Sequence, residues 1–362
     1  MSLATIQLLT PSIGFVAAWP GSGPALARTT DGGSTWSKIA LPAYVTITSL
    51  RFIDANVGWA AGAIPRSDPG IACQQAPPTA MTPCYGVVLR TTDGGATWQK
   101  ALLVEYPGTY QYPVLQIQAI DGLRAWALIE PCAPPTGAGR ASLCGPTEVR
   151  RTVDGGGTWT TVIHDYVVAI RFATELRGWL AVANVDGSFD VRVTSDGGSS
   201  WKSVLHTTSG QIVGLDAASA LTAWVMTQDG TACTATSCLD YALLRTTDGG
   251  TTWSSLGNPK PTSANCTGGQ LVGPLFASPT RGWLAENSGA GGAVDVTGLL
   301  ETEDGGNSWS CSSSPSETDL VSAADPNHIW VTSNSRSDEA TALYSSNDGG
   351  TSWHALNLPT LS

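Results

Sequence analysis

The chain has 362 residues and a formal net charge of −11, a balance that argues against nucleic acid or an anionic membrane surface as partner. Length alone suggests two or three domains, and no apolar stretch approaches a membrane span. Its 41 glycines and 22 prolines sit between apolar runs, so they mark turns rather than disorder.

Met1-Ser2-Leu3 is unlike a signal peptide, and the expectation is a mature sequence behind an added start, without its native targeting segment. The first unit spans about 4–42. It carries an apolar run around Phe15 and then an octapeptide of the form [ST]-x-Asp-Gly-Gly-x-[ST]-Trp. The same octapeptide begins at Thr29, Thr91, Thr152, Thr194, Thr246, Thr302 and Ser346. It sets Asp31, Asp93, Asp154, Asp196, Asp248, Asp304 and Asp348 each five residues before a tryptophan: Trp36, Trp98, Trp159, Trp201, Trp253, Trp309 and Trp353.

Units two to seven follow at about 43–104, 105–164, 165–206, 207–258, 259–313 and 314–359. Each opens with an apolar run and a Gly-Trp or close variant: Trp59, Trp126, Trp179, Trp224, Trp283 and Trp330, with Phe15 in the first unit. Short β-branched runs bounded by Gly, Pro, Asp and Asn read as strands. In the second unit they predict strand A at 49–53, B at 58–62, C at 87–92 and D at 97–104. No run keeps a helical period. The expected fold is all-β: a seven-bladed β-propeller of four-stranded antiparallel blades, one domain over 1–362. The first unit has its own strand A and the last its own strand D, so no strand should be shared between the termini.

The Asp-Gly-Gly step is turn chemistry. Glycine takes positive φ freely, and a short carboxylate accepts bonds from backbone N–H groups just ahead of it. Hydroxyls two residues before and four after each Asp suit the same loop. A row of metal sites would need several oxygen ligands apiece, and each motif offers one carboxylate. The seven aspartates are therefore read as structural, with no metal or cofactor expected.

Eight cysteines fall as Cys73/Cys84, Cys132/Cys144 and Cys233/Cys238, each pair inside one B–C loop, with Cys266 and Cys311 flanking the sixth unit. One pair per insertion reads as four disulfides and an oxidising, extracytoplasmic or secreted location. The Cys-x-x-Cys knuckles of a zinc site are missing. Asn265-Cys266-Thr267 matches a glycosylation sequon.

Alternating strands put the B–C and D–A loops on one face and the Asp-Gly-Gly turns, with short A–B loops, on the other. Candidate ligand residues gather at the first face: Tyr85, Glu105, Tyr106, Tyr110, Tyr112 and Tyr166. Tyrosine offers a rigid apolar body with a polar tip; the same rings would also serve to cap the sheet ends. No catalytic residue is assigned. His164, His206, His328 and His354 are scattered, and no nucleophile elbow or phosphate loop appears. The face does hold Glu105, Glu130, Asp165, Asp186, Asp229, Asp240 and Glu286, and glycoside hydrolysis needs two carboxylates. Arg51 and Arg171, in strand A, are expected to pair with carboxylates of neighbouring blades. Arg28, Arg90, Arg151 and Arg245, three residues before a turn Asp, are read as surface charges.

These motifs resemble the Asp-box, or BNR, repeat. With Gly-Trp-Ala in strand B and Arg-Thr-Thr-Asp-Gly-Gly-x-Thr-Trp, the chain is most similar to the photosystem II assembly/stability factor family and more distantly to sialidase-like propellers. The resemblance implies a non-catalytic, extracytoplasmic binding or assembly scaffold, a monomer whose partner is a protein or a carbohydrate. The alternative is a sialidase-like or glucan-degrading glycoside hydrolase. The cysteine-stapled insertions depart from the family pattern, and the arginine triad of sialidases has no counterpart.

Overall fold

The structure, a computed structural model, describes residues 3–18, 25–42, 45–65, 84–105, 114–133, 143–208, 210–229, 240–259, 270–287, 298–312, 318–334 and 341–358. Their fold is all-β. Seven four-stranded antiparallel sheets form the blades of a seven-bladed β-propeller, at 3–39, 46–104, 114–165, 167–207, 211–257, 270–311 and 318–356. Each blade takes its four strands from one stretch of chain, the first and last included. Blades 1–3 lie in one compact unit, up to Val167, and blades 4–7 in a second, Val168–Leu358. Among the described residues no helix is long and apolar enough to cross a membrane.

Blade 2 shows how the expected boundaries moved. Its strands A to D are Thr46–Phe52, Gly58–Pro65, Cys84–Thr91 and Gln99–Val104. Strands B and C run further than expected because their ladder continues out to Pro65↔Cys84. Strand D starts later, since the turn holds the chain through Trp98. A two-stranded ribbon, Cys132–Ala133 against Leu143–Cys144, extends blade 3 and was not foreseen.

Strand B is the buried spine of each blade. Phe15, Trp59, Trp126, Trp179, Trp224, Trp283 and Trp330 are all at most 1% exposed, so the second signature of the repeat supplies the largest core side chains. The residue just before each aromatic is matched in size to its partner on strand A. Gly58 and Gly282 pair with Phe52 and Phe276, Ala125 and Ala223 with Ala119 and Ala217, and Ile329 with Ala323. A methyl on Gly58 or Gly178 would stand 2.5 or 2.6 Å from the ring of Phe52 or Phe172. The glycine of Gly-Trp thus makes room for a phenylalanine of the neighbouring strand.

Those rings then join successive blades. Phe15 of blade 1 stacks on Phe52 of blade 2, with centroids 3.6 Å apart and planes 7° from parallel. Trp224 of blade 5 stacks on Phe276 of blade 6 at 3.5 Å and 3°. The turn tryptophans close the same clusters edge-on, as Trp98 does on Phe52 and Trp309 on Phe276.

The size matching can be tested in blade 4. Gly178→Ala should lower stability by about 1–3 kcal/mol through overpacking. In a Phe172→Ala background, which recreates the Ala–Ala pairs of blades 3 and 5, the same change should be close to neutral. Urea denaturation of the four proteins measures this coupling, and additive effects would count against it.

Candidate functional site

The seven Asp-Gly-Gly turns share one hydrogen-bond pattern. In blade 5, Asp248 Oδ1 accepts the Thr246 hydroxyl at 2.9 Å and the Thr252 N–H at 2.9 Å, while Oδ2 accepts the Thr252 hydroxyl at 2.6 Å. The Thr246 hydroxyl oxygen in turn accepts the Gly250 N–H at 2.8 Å. The same carboxylate contacts occur at Asp31, Asp93, Asp154, Asp196, Asp304 and Asp348. The first glycine's N–H donates to a carbonyl of the A–B loop in every blade, as Gly94 does to Asn56.

Donors four residues ahead hold six of these carboxyls down at a pKa of about 2, the hydroxyl contributing most except at Asp154, where the N–H leads. At Asp304 burial pushes up, but Ser308 and Thr302 outweigh it and the net shift is down. Each carboxylate is consumed by its own turn.

In blades 2, 3, 5, 6 and 7 the turn glycines also receive the preceding blade. Their φ values, 72–78° at the first and 89–103° at the second, exclude most side chains by conformation. Space excludes them again. A Cβ on the second glycine would meet the residue three after the previous blade's turn Trp: Ile39, Ala101, Val204, Leu256 or Ser312, within 2.5–3.2 Å. A Cβ on the first would meet an arginine of the previous blade, for example Arg28 at Gly94 and Arg90 at Gly155.

These arginines are therefore not surface charges, which corrects the reading for Arg28, Arg90 and Arg245; Arg151 is likewise only half-exposed. Arg28 lies over Phe15 at 5.8 Å and Arg90 over Trp59 at 5.5 Å, each a cation–π contact on its own blade. Arg245 donates to the Gly305 carbonyl at 3.1 Å. Blades 4 and 6 have Val193 and Glu301 at that strand-C position. There the guanidinium comes from the A–B loop: Arg177 donates to the Gly249 carbonyl, and Arg281 to Gly349 at 2.5 Å and to Glu301 at 2.9 Å. Sequence reasoning missed Arg177 and Arg281. Their signal was an arginine just before Gly-Trp in two blades that lack one in strand C.

In strand A, Arg171 pairs with Asp216 of the next blade at 2.7 Å. Asp216 also accepts the Phe276 N–H at 2.6 Å, so one buried carboxylate ties blade 5 to both neighbours. Gln7 ties blade 1 to blade 2, exchanging two bonds with the Phe52 backbone at 2.7 and 2.8 Å.

On the opposite face the candidates separate. Tyr166 is exposed and Glu105 stands exposed after strand D of blade 2, whereas Tyr85 lies in strand C and packs on the blade 1–2 core. Tyr106, Tyr110 and Tyr112 lie outside the described residues, as do Cys73, Cys233, Cys238 and Cys266. Cys132 and Cys144 are direct partners in the ribbon of blade 3. Among the carboxylates on this face, Glu286 is 3% exposed. Beside it Tyr241, also buried, accepts the Leu271 N–H at 3.0 Å, and burial followed by the Glu286 charge raises its pKa. Asp186 is exposed, its pKa lowered by the Ser188 hydroxyl and N–H. Among the described residues no three His, Cys, Asp or Glu side chains gather at a metal-sized site.

No protein-family model and no curated protein sequence matches the chain. It is similar in fold to solved propellers of low identity. One is the structure of YCF48 bound to D1 peptide, at 18% identity and TM-score 0.56, covering 91% of this chain and 89% of that one. Another is the GH74 xyloglucanase from Xanthomonas campestris, at 13% and 0.50, covering 89% of this chain and 47% of that one. A PL25 ulvan lyase aligns at 11% and 0.52, over 99% and 95%. Binding proteins and carbohydrate-active enzymes thus share this fold, and at these identities the likeness is one of fold alone.

The turns yield two expectations. Their carboxyls titrate below the ordinary 3.8 when folded, so their stabilisation is complete above about pH 4 and drains away as pH falls toward 2. Asp248→Ala should melt below the wild type at neutral pH, and the gap should narrow across that window in calorimetric scans. Separately, Arg177→Met leaves the Gly249 carbonyl without its charged donor and should cost about 1–3 kcal/mol in urea denaturation.

Proposed function

We propose that the protein is a non-catalytic, extracytoplasmic binding or assembly scaffold of the Asp-box type, which takes its ligand on the B–C/D–A face. The observation that carries this is the saturation of the other face. Seven turns spend their carboxylates on their own hydroxyls and N–H groups, and the turn glycines of blades 2, 3, 5, 6 and 7 are taken up by the preceding blade. Ligand chemistry then falls to the long B–C and D–A connections, where loops held by a rigid scaffold act. A propeller of similar length, YCF48, is seen with a peptide, and a polypeptide partner is the reading favoured here over a carbohydrate.

The location rests on the cysteines. Their even count, the bonded state of Cys84 and Cys311, and the direct opposition of Cys132 and Cys144 support four disulfides, Cys73–Cys84, Cys132–Cys144, Cys233–Cys238 and Cys266–Cys311. Non-reducing peptide mapping that returned free thiols or other pairings would remove that support.

A catalytic reading has one observation in its favour, the buried Glu286 beside Tyr241. A desolvated carboxyl is what a general acid requires. Turnover of xyloglucan or ulvan lost in Glu286→Gln would establish it. The scaffold reading expects no turnover. It also expects a partner captured by photo-crosslinkers at Tyr110 or Tyr112 and not by crosslinkers at Thr35 or Thr97 of the turn face.

A further inference from the structure

We infer that the turn face of blades 4 and 5 carries a docking surface for a cationic polypeptide, with Leu176 and Leu221 as its apolar contacts. The surface lies wholly within the second unit and is separate from the loop face proposed above. It rests on a comparison that the repeat itself supplies. In every blade the carbonyl of one A–B loop residue accepts the N–H of the first turn glycine, so seven positions are equivalent. Ser12, Asn56, Thr280 and Asn327 hold that position in blades 1, 2, 6 and 7. Leu123, Leu176 and Leu221 hold it in blades 3, 4 and 5. All seven residues are exposed and the shared bond is made by the backbone, so the fold makes no demand for an apolar side chain there. Leu176 is nonetheless 51% exposed and Leu221 57%.

The two leucines flank one blade junction. Arg177, next to Leu176 in the chain, reaches the blade 5 turn and donates to the Gly249 carbonyl. A Cβ on Gly249 would meet that guanidinium and stand 3.4 Å from a Leu221 methyl. Leu176, the Arg177 stem and Leu221 therefore follow one another from blade 4 to blade 5. The polar groups of these turns are engaged by the fold, and the contact left to a partner is apolar.

Charge selects the occupant. Glu175 stands exposed beside Leu176, and the turns that bond to the two leucine carbonyls carry Asp196 and Asp248. Hydrogen bonds occupy those two carboxylates without removing their charge, since Ser200 and Thr252 hold their pKa values at about 2. Against these three anions stands Arg177, already docked on the next turn. A second copy of this chain, itself of net charge −11, would set like charges against one another. Apolar side chains flanked by Lys or Arg suit both the leucines and their rim.

Asn56 and Asn327 show that an amide suits this position, so the double variant Leu176→Asn/Leu221→Asn should keep the wild-type melting temperature. The probe is a short amphipathic peptide of Leu and Lys. Its controls replace every Leu by Ser, or every Lys by Glu. In ¹H–¹⁵N spectra of the full chain, the probe should shift the Leu176, Gly197, Leu221 and Gly249 amides saturably. The double variant should bind the probe about tenfold more weakly, and the wild type should bind either control about tenfold more weakly. The proposal fails if no saturable shift appears up to about 1 mM, if the double variant binds as well, or if a control peptide matches the probe. Dimerisation of the wild type that the double variant abolishes would assign the leucines to a second copy and overturn it as well.

Discussion

The structure depends on the contact between a turn and the blade before it. A two-residue glycine step at φ near 75° and 95° would be explicable as hairpin geometry alone. In blades 2, 3, 5, 6 and 7 each glycine is also a socket. The first accepts the flat guanidinium of the preceding blade, and the second accepts a strand-D side chain three residues past a turn tryptophan. A side chain at either position would strain its own backbone and push the neighbouring blade away. One short motif therefore serves local folding and the docking of blades inside each unit.

The position of the charge matters in that contact, and its source in the chain does not. Four blades carry the arginine in strand C; blades 4 and 6 carry it in the A–B loop and fill the strand-C site with Val193 or Glu301. Blade 6 then pairs the two, because Arg281 reaches both Glu301 and the Gly349 carbonyl. Burial raises the Glu301 pKa, and Arg281 opposes it. The guanidinium keeps its place against the next turn while its Cα has moved to another strand connection.

This explains which features were legible in the sequence. Blades, strand order and the face carrying the turns follow from chemistry within an octapeptide, since Asp248, Thr246 and Thr252 meet without help from the rest of the chain. The size match of Phe52 with Gly58 was hidden, although both residues were in view, because it appears only once the A–B register is known. The arginines were misread for a similar reason. Arg90 has its ring partner Trp59 one strand away and its turn partner 65 residues downstream at Gly155. Strand ends were illegible where ladders outran the apolar run, as at Pro65↔Cys84.

The same division bears on function. A face whose polar groups are all engaged by the fold has little left to offer a ligand, however regular its carboxylates look. Seven aspartates in register invite a metal or catalytic reading, but each already has acceptor sites filled from within five residues. The binding proposed above would fall to residues the core does not use. On the loop face these include Tyr166, exposed and outside the core, in contrast to Tyr85 and Tyr241, whose rings the core uses. In a repeat protein the framework residues are the ones that recur in every blade, so a ligand site is best sought where one blade departs from the others.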